Sequence, residues 1–263
     1  MKRKLAAVGY NCMDVYESTG ESFPGVNPLN VAVYIRRMGG DASYTGVVGN
    51  DKYGNLMIEL IKKKGIDISH LKQIEGKTAI TYVKHLKGER ILGEYDEGVM
   101  IDFKLSEEDI TFLAGHDIVV SGIWGKVESY IPILKEKGTS IAFDFADKIG
   151  HEITITTLEY VDYAFFSCDD KTDEELKLFM KAIKIRGPKL VIVTRGEKGS
   201  MVYDGKEFTK YGIIECEVKD TMGAGDSYIA GFLMGIMKNE SIIDCMKRGA
   251  VSSSVTIGYY GAW

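Results

Sequence analysis

Short apolar runs alternate with helix-spaced segments along nearly the whole chain, and this alternation constrains the fold more than any other feature. Residues 5–8 read as an apolar strand. Asn27-Pro28 reads as an N-cap and first-position pair that opens a helix through Met38, stopped by Gly39-Gly40. Residues 42–48 read as a strand, after which Asn50 or Asp51 caps a helix. That helix ends in Lys62-Lys63-Lys64-Gly65, with cations where the helix dipole favours them. Further strands are expected over 117–121, 140–145, 161–166 and 189–194. Helices are expected up to Lys137 and over 172–185, 223–237 and 241–257. Such a succession predicts a mostly parallel sheet covered on both faces, a doubly wound α/β/α sandwich. The 263 residues suffice for one domain spanning 1–263.

One stretch departs from that rhythm. Residues 77–86 and 89–94 flank Lys87-Gly88 and have the pattern of a β-hairpin. With the alternating residues of 13–22 they form either a small second sheet or an ordinary surface hairpin.

Charge and composition remove several functions. The net charge of −5 gives no basic field for nucleic acid or for an anionic membrane. No run approaches ~18 apolar residues, so no membrane span is expected. The basic start at Met1 to Lys4 leads into a short strand broken by Asn11 and Asp14, unlike a signal peptide. Cys12, Cys168, Cys216 and Cys245 are scattered, as are His70, His85, His116 and His151. That spacing predicts neither a zinc site nor a disulfide framework, and reduced thiols in a cytoplasmic protein are the simplest account.

The segment Asp220-Thr221-Met222-Gly223-Ala224-Gly225-Asp226 places small residues directly before an apolar, helix-spaced run. Small residues let a ligand approach the backbone, and the free N–H groups of a helix start favour a phosphate. Asp226, in the same first turn, is placed to take a proton from an attacking hydroxyl. The helix N-terminus favours its ionised form, so it is expected to be charged at neutral pH. Gly223, Ala224 and Gly225 supply N–H donors for charge developing on a phosphoryl group. Phosphoryl transfer to an alcohol is the chemistry this suggests; a helix-capping acidic turn is the plainer alternative. Asp220 holds the loop by accepting backbone N–H bonds on the same plain view. No G-x-x-x-x-G-K-[ST] or G-x-G-x-x-G occurs at the expected places, which argues against a P-loop enzyme and a NAD-binding dehydrogenase.

The 220–226 segment resembles the signature of the ribokinase-type (PfkB) carbohydrate kinases, Asp-Thr-x-Gly-Ala-Gly-Asp, at every fixed position. Gly9 to Asp14, Gly25 to Ala32, Gly46 to Gly54 and Thr194 to Gly199 fall in the order that family shows. Ile123-Trp124-Gly125, the stretch from Glu94 to Met100, Phe143-Asp144-Phe145 and Gly261-Ala262-Trp263 look like the branch that phosphorylates fructoselysine.

The resemblance implies a ribokinase-like fold with a small β-sheet lid at 13–22 and 77–94, which also serves as a dimer surface. It implies ATP and Mg2+ as cofactors, with K+ as an activating cation. Asp226 is the base by this resemblance. Asp14 and Gly25, with Asn27 and Asn30, bind the sugar, although an N-cap is a competing role for Asn27 and an exposed loop acid for Asp14. Thr194, Gly196 and Gly199 border the nucleotide, with Gly225 under its phosphates; strand ends followed by glycines are where open α/β sheets bind ligands. Asp220 and Thr221 hold the monovalent cation, against the loop-holding role above. Asp170 acts on magnesium through water, against a role as a helix-capping acid.

Three departures from the family pattern stand out. Val26 occupies the usual place of a second glycine, Ser167-Cys168-Asp169-Asp170 replaces Asn-x-x-Glu, and Asp144 to Lys148 lacks the usual Asn and Arg.

The expected activity is ATP-dependent phosphorylation of a primary hydroxyl of a sugar derivative, with fructoselysine as substrate. Such a glycated amino acid carries charges of both signs. Arg90 is a candidate for its carboxylate, and Glu94, Asp96 and Glu97 for its ammonium groups. A fructokinase or another sugar kinase of the family is one alternative. A sugar- and nucleotide-binding sensor is another, although it has no need of Asp226.

Overall fold

The computed structural model describes residues 3–16, 20–86 and 89–263, and for 84–86 and 89–92 it describes the backbone alone. In chain order the elements that build the site are β1 (Lys4–Val8), β2 (Cys12–Tyr16), β3 (Ser22–Gly25), α1 (Asn27–Arg37) and β4 (Asp41–Gly49). There follow α2 (Lys52–Lys63), β5 (Leu71–Ile74), β6 (Ile80–Leu86), β7 (Glu89–Asp96), α3 (Glu107–Ala114) and β8 (Ile118–Gly122). The second half brings α4 (Ile131–Glu136), β9 (Ser140–Asp144), α5 (Glu152–Thr157), β10 (Tyr163–Ser167), α6 (Asp173–Lys184) and β11 (Leu190–Thr194). It closes with β12 (Ser200–Tyr203), β13 (Phe208–Tyr211), α7 (Ala224–Met237) and α8 (Ile242–Thr256).

A nine-stranded sheet runs in the order β13-β12-β11-β10-β9-β8-β1-β4-β5. From β11 to β5 every pair is parallel; the β11–β12 and β12–β13 pairs are antiparallel. The central strands are largely apolar because both faces are covered. Their residues alternate between two cores, as the two-residue repeat of a strand requires. Leu5, Ala7, Ile118, Val120, Phe165 and Ile192 face α1, α2, α7 and α8. Ala6, Val8, Val119, Phe143, Phe166 and Val193 face α3, α4 and α6. Phe232 of α7 meets Phe165 edge-on, with ring centroids 5.7 Å apart. Burial of that ring contributes roughly 1.5–3 kcal/mol to seating α7 on the sheet.

A separate four-stranded sheet has the order β3-β2-β6-β7. β2 pairs antiparallel with β3 and parallel with β6, and a register shift between Thr81 and Val83 bends the β6–β7 ribbon. The expected second sheet is therefore present. Residues 17–19 and 87–88 lie outside the described residues, as do Met1 and Lys2.

Boundaries moved by one or two residues where caps decide them. Asp51, not Asn50, caps α2, accepting from the Gly54 N–H. Asn27 is not the cap of α1: Val26 holds that position, and Pro28 falls in the first turn. The sequence places no element at α3, α5, β5 or the β12–β13 hairpin. Among the described residues no helix is long and apolar enough to cross a membrane.

Candidate active site

Parallel strands deliver their C-terminal ends to one side of the sheet, where open α/β sheets bind ligands. The loop after β1 turns at Gly9, whose φ is +113°; a Cβ there would lie 2.5 Å from the Gly125 carbonyl. That close backbone approach joins the β1 and β8 loops and sends the chain out into β2. Asp14 on β2 is buried, and a Cβ on Gly25 of the paired strand would sit 3.1 Å from its Oδ2. The missing side chain at Gly25 thus makes room for the Asp14 carboxylate. Val26 follows with φ +101°, a backbone region that glycine favours and a β-branched residue rarely enters. Val26 thus holds a conformation that a glycine would take without strain.

The start of α7 is built for an anion. Gly223 is its N-cap, left-handed at φ +73°, and a Cβ there would meet the Tyr34 hydroxyl at 2.4 Å. Tyr34 in turn donates to the Ala262 carbonyl. Asp220 pins the loop: its Oδ1 accepts from Met222 N–H and its Oδ2 from Gly261 N–H, each at 2.9 Å. The Ala224 N–H bonds back to Thr221 at 3.2 Å, and Ser227 N–H to Gly223 at 2.8 Å. Among the described residues the N–H groups of Gly223, Gly225 and Asp226 have no acceptor. The space where a Gly225 Cβ would point is open. Unpaired N–H groups at a helix start with room above them can receive an anion such as a phosphate.

Asp226 is held from behind by two amides. Asn27 Nδ2 donates to its Oδ1 and Asn30 Nδ2 to its Oδ2, each at 2.7 Å. The Asn30 amide is itself oriented by Trp263, whose indole Nε1 donates to Asn30 Oδ1 at 2.7 Å. The Asn27 Nδ2 has a second acceptor, Oδ2 of Asp144 at the end of β9, also at 2.7 Å. One amide nitrogen therefore bridges two carboxylates.

Burial pushes the Asp226 carboxyl above its ordinary value, while the hydrogen bonds from Asn30 and Asn27 pull it back. Burial also pushes Asp144 up, to about 7; the charge of Asp226 adds to the rise and the Ala146 N–H opposes it. The sequence reading counted only the helix terminus, which favours ionisation. Desolvation works against that, and it makes Asp226 a stronger proton acceptor.

A cavity of about 1390 Å³ opens above these groups. Asp14, Asn30, Thr221, Gly223 and Asp226 line it together, whereas Gly25, Asn27, Ala224 and Gly225 do not. Thr194, Gly196 and Gly199 do not line it. They form a separate turn beyond β11, with Gly196 and Gly199 at positive φ and the Arg195 N–H bonded to the Gly199 carbonyl at 2.8 Å. Asp170 is exposed beside that turn: the Cys168 N–H bonds to the Thr194 carbonyl, and Asp170 Oδ1 accepts from the Cys168 thiol at 3.3 Å. Among the described residues no three metal-binding side chains cluster. Arg90 lies on β7, but its side chain is outside the described residues. Glu94 and Asp96 are exposed and lie off the cavity, whereas Glu97 lines it.

Sequence reasoning missed Asp144, Lys126 and the role of Trp263. Asp144 carried a usable signal, an acid at the end of an apolar strand.

Residues 4–263 match a family model described as pfkB family carbohydrate kinase. The fructoselysine 6-kinase of Escherichia coli (strain K12) is 43% identical over 261 residues, covering 99% of this chain and all of that one. The fructosamine kinase FrlD of Bacillus subtilis (strain 168) is 32% identical over 264 residues, covering 99% of this chain and 93% of that one. Among solved structures, Arabidopsis thaliana ribokinase complexed with ribose and ATP superposes with a TM-score of 0.90 at 20% identity, covering 99% of this chain and 94% of that one.

Proposed function

The chain belongs to the pfkB family of carbohydrate kinases, and from that premise we propose that it phosphorylates a fructosamine, fructoselysine above all, at the primary hydroxyl of the sugar. One observation carries the chemistry: Asp226 stands at an open helix N-terminus with both oxygens held by Asn27 and Asn30. The substrate assignment draws support from relatives of full-length match whose names specify fructoselysine and fructosamine.

Asp14 and the backbone at Gly25, with Asn27 and Asn30 beneath, orient the sugar so that its hydroxyl oxygen faces Asp226. That oxygen attacks the γ-phosphorus of ATP, the bond to the ADP oxygen breaks, and Asp226 takes the hydroxyl proton. The free N–H groups of Gly223 and Gly225 meet the charge on the transferred group, whereas the Ala224 N–H, expected to join them, is taken by the Thr221 carbonyl. Thr194, Gly196 and Gly199 border the nucleotide, whose phosphates reach toward Gly225.

Magnesium is held chiefly by phosphates and water with one or two carboxylates. Asp170, exposed beside the Thr194 turn, is the carboxylate that fits such a role through water. At Asp220 the loop-holding role has the direct support of two backbone hydrogen bonds. A K+ ion would share that carboxylate with the Thr221 carbonyl, and comparing rates in K+ and in tetramethylammonium salts tests for it. The small sheet serves as a lid that excludes water from the γ-phosphate. Its edges offer a surface for a second copy, which solution scattering tests.

A substrate panel with ATP and Mg2+, scored by ADP release, tests the function. kcat/KM for fructoselysine should exceed that for fructose and ribose by at least ~10²-fold. Equal efficiency on free fructose would make this a fructokinase. ATP binding without turnover on any sugar would make it a sensor.

A further inference from the structure

The cavity is larger than a hexose needs: small-molecule sites commonly enclose ~300–1000 Å³, against about 1390 Å³ here. Part of its wall has features the phosphoryl chemistry does not use. Lys126 Nζ pairs with Glu97 Oε2 at 2.9 Å and also reaches the Met100 carbonyl at 3.3 Å. Glu128 lines the same wall. Both members of the ion pair are about one-third exposed, and a pair so open to solvent adds little to stability. Yet the backbone accepts strain to place it, since Lys126 has φ +54°, a conformation that side chains other than glycine rarely take. Trp124 and Tyr95 line this wall with 54% and 39% of their surface exposed. Large aromatic groups left bare inside a cavity are surfaces for an apolar chain.

We propose that Lys126, Glu97 and Glu128 form a subsite for the zwitterionic end of a glycated amino acid, with Trp124 and Tyr95 flanking its alkyl chain. Lys126 takes the α-carboxylate, and Glu97 and Glu128 take the α-ammonium. In its absence Lys126 and Glu97 satisfy each other, so neither charge stands unpaired. The subsite rests on the reading of the chain as a fructosamine kinase. It places the ammonium at Glu97 and Glu128 instead of Glu94 and Asp96, which lie off the cavity.

Five acceptors test it with the full chain: fructoselysine, its α-carboxylate methyl ester, its Nα-acetyl derivative, 1-butylamino-1-deoxyfructose and free fructose. The ester and the acetyl derivative should each lower kcat/KM at least ~10-fold relative to fructoselysine. Lys126→Met should abolish the preference for acid over ester. Glu97→Gln combined with Glu128→Gln should abolish the preference for free over acetylated amine. The substrate series on the unmodified protein stands by itself if a variant fails to fold. Butylamino fructose used as well as fructoselysine would overturn the subsite and leave the fructosamine kinase intact. Unaltered preferences in the variants would do the same. Free fructose used as well as every fructosamine would overturn the fructosamine reading, and the subsite with it.

Discussion

The indole Nε1 of Trp263 donates to Oδ1 of Asn30 at 2.7 Å, which leaves the Asn30 Nδ2 to donate to Asp226 at 2.7 Å. An amide has one oxygen and one nitrogen end, so capturing the oxygen decides which end meets the Asp226 carboxylate. Trp263 is thus a positioning residue acting through Asn30. Trp263→Phe keeps the ring and removes the N–H. A lost buried hydrogen bond is worth about 1 kcal/mol, so kcat should fall ~5- to 10-fold with KM for ATP nearly unchanged. Steady-state kinetics check this, and an unchanged kcat would remove Trp263 from the role.

Asp144 and Asp226 share the Nδ2 of Asn27, and this gives a pH signature. Burial, then the charge of Asp226, raises Asp144 from 3.8 to about 7. In the unfolded chain Asp144 ionises near pH 4, while the folded chain holds the proton to about pH 7. Stability therefore falls as pH rises through that window and levels off above it. The loss is at most about 4 kcal/mol. The raised Asp226 adds in the same direction. Asp144→Asn should flatten the fall of Tm between pH 5 and 7.5. It should also move the acid limb of kcat/KM to lower pH, since that limb belongs to the pair. Superimposable pH profiles for the two proteins would contradict this coupling.

The same residues show how far a sequence carries. The parallel sheet was legible because strands covered on both faces are largely apolar, as in residues 190–194. The small sheet was legible from its break in rhythm. The β12–β13 hairpin carried a turn signal in Asp204-Gly205, and α3 a capping box in Ser106 and Asp109, but both elements are too short to establish a period. The glycine-rich start of α7 was legible because its parts are contiguous. The carboxylate pair was not: Asn27 lies 117 residues from Asp144 and 199 from Asp226, and only folding joins them. The shift of Asn27 from cap to bridge is likewise tertiary. Two half-buried carboxylates claimed its amide, and Val26 took the cap position instead.

Gly223 is required by both conformation and space. Gly223→Ala forces a Cβ into the left-handed region and within 2.4 Å of the Tyr34 hydroxyl. The conformation alone costs about 1–2 kcal/mol, and the contact adds to it. Tm should drop by roughly 3–6 °C for a chain of this size. Gly225→Ala, whose Cβ would point into open space, should leave Tm nearly unchanged. Thermal melts of the two variants compare them directly, and equal losses would contradict the account of the α7 start.

The central claim is that Asp226 accepts the proton of the sugar hydroxyl. Asp226→Asn keeps the size of the side chain and removes its basicity. The measurement is single-turnover phosphoryl transfer to fructoselysine, run beside ATP binding by calorimetry. The account predicts a transfer rate lowered by ~10²-fold or more, with the Kd for ATP little changed. A variant that transfers phosphate at near the normal rate would contradict it.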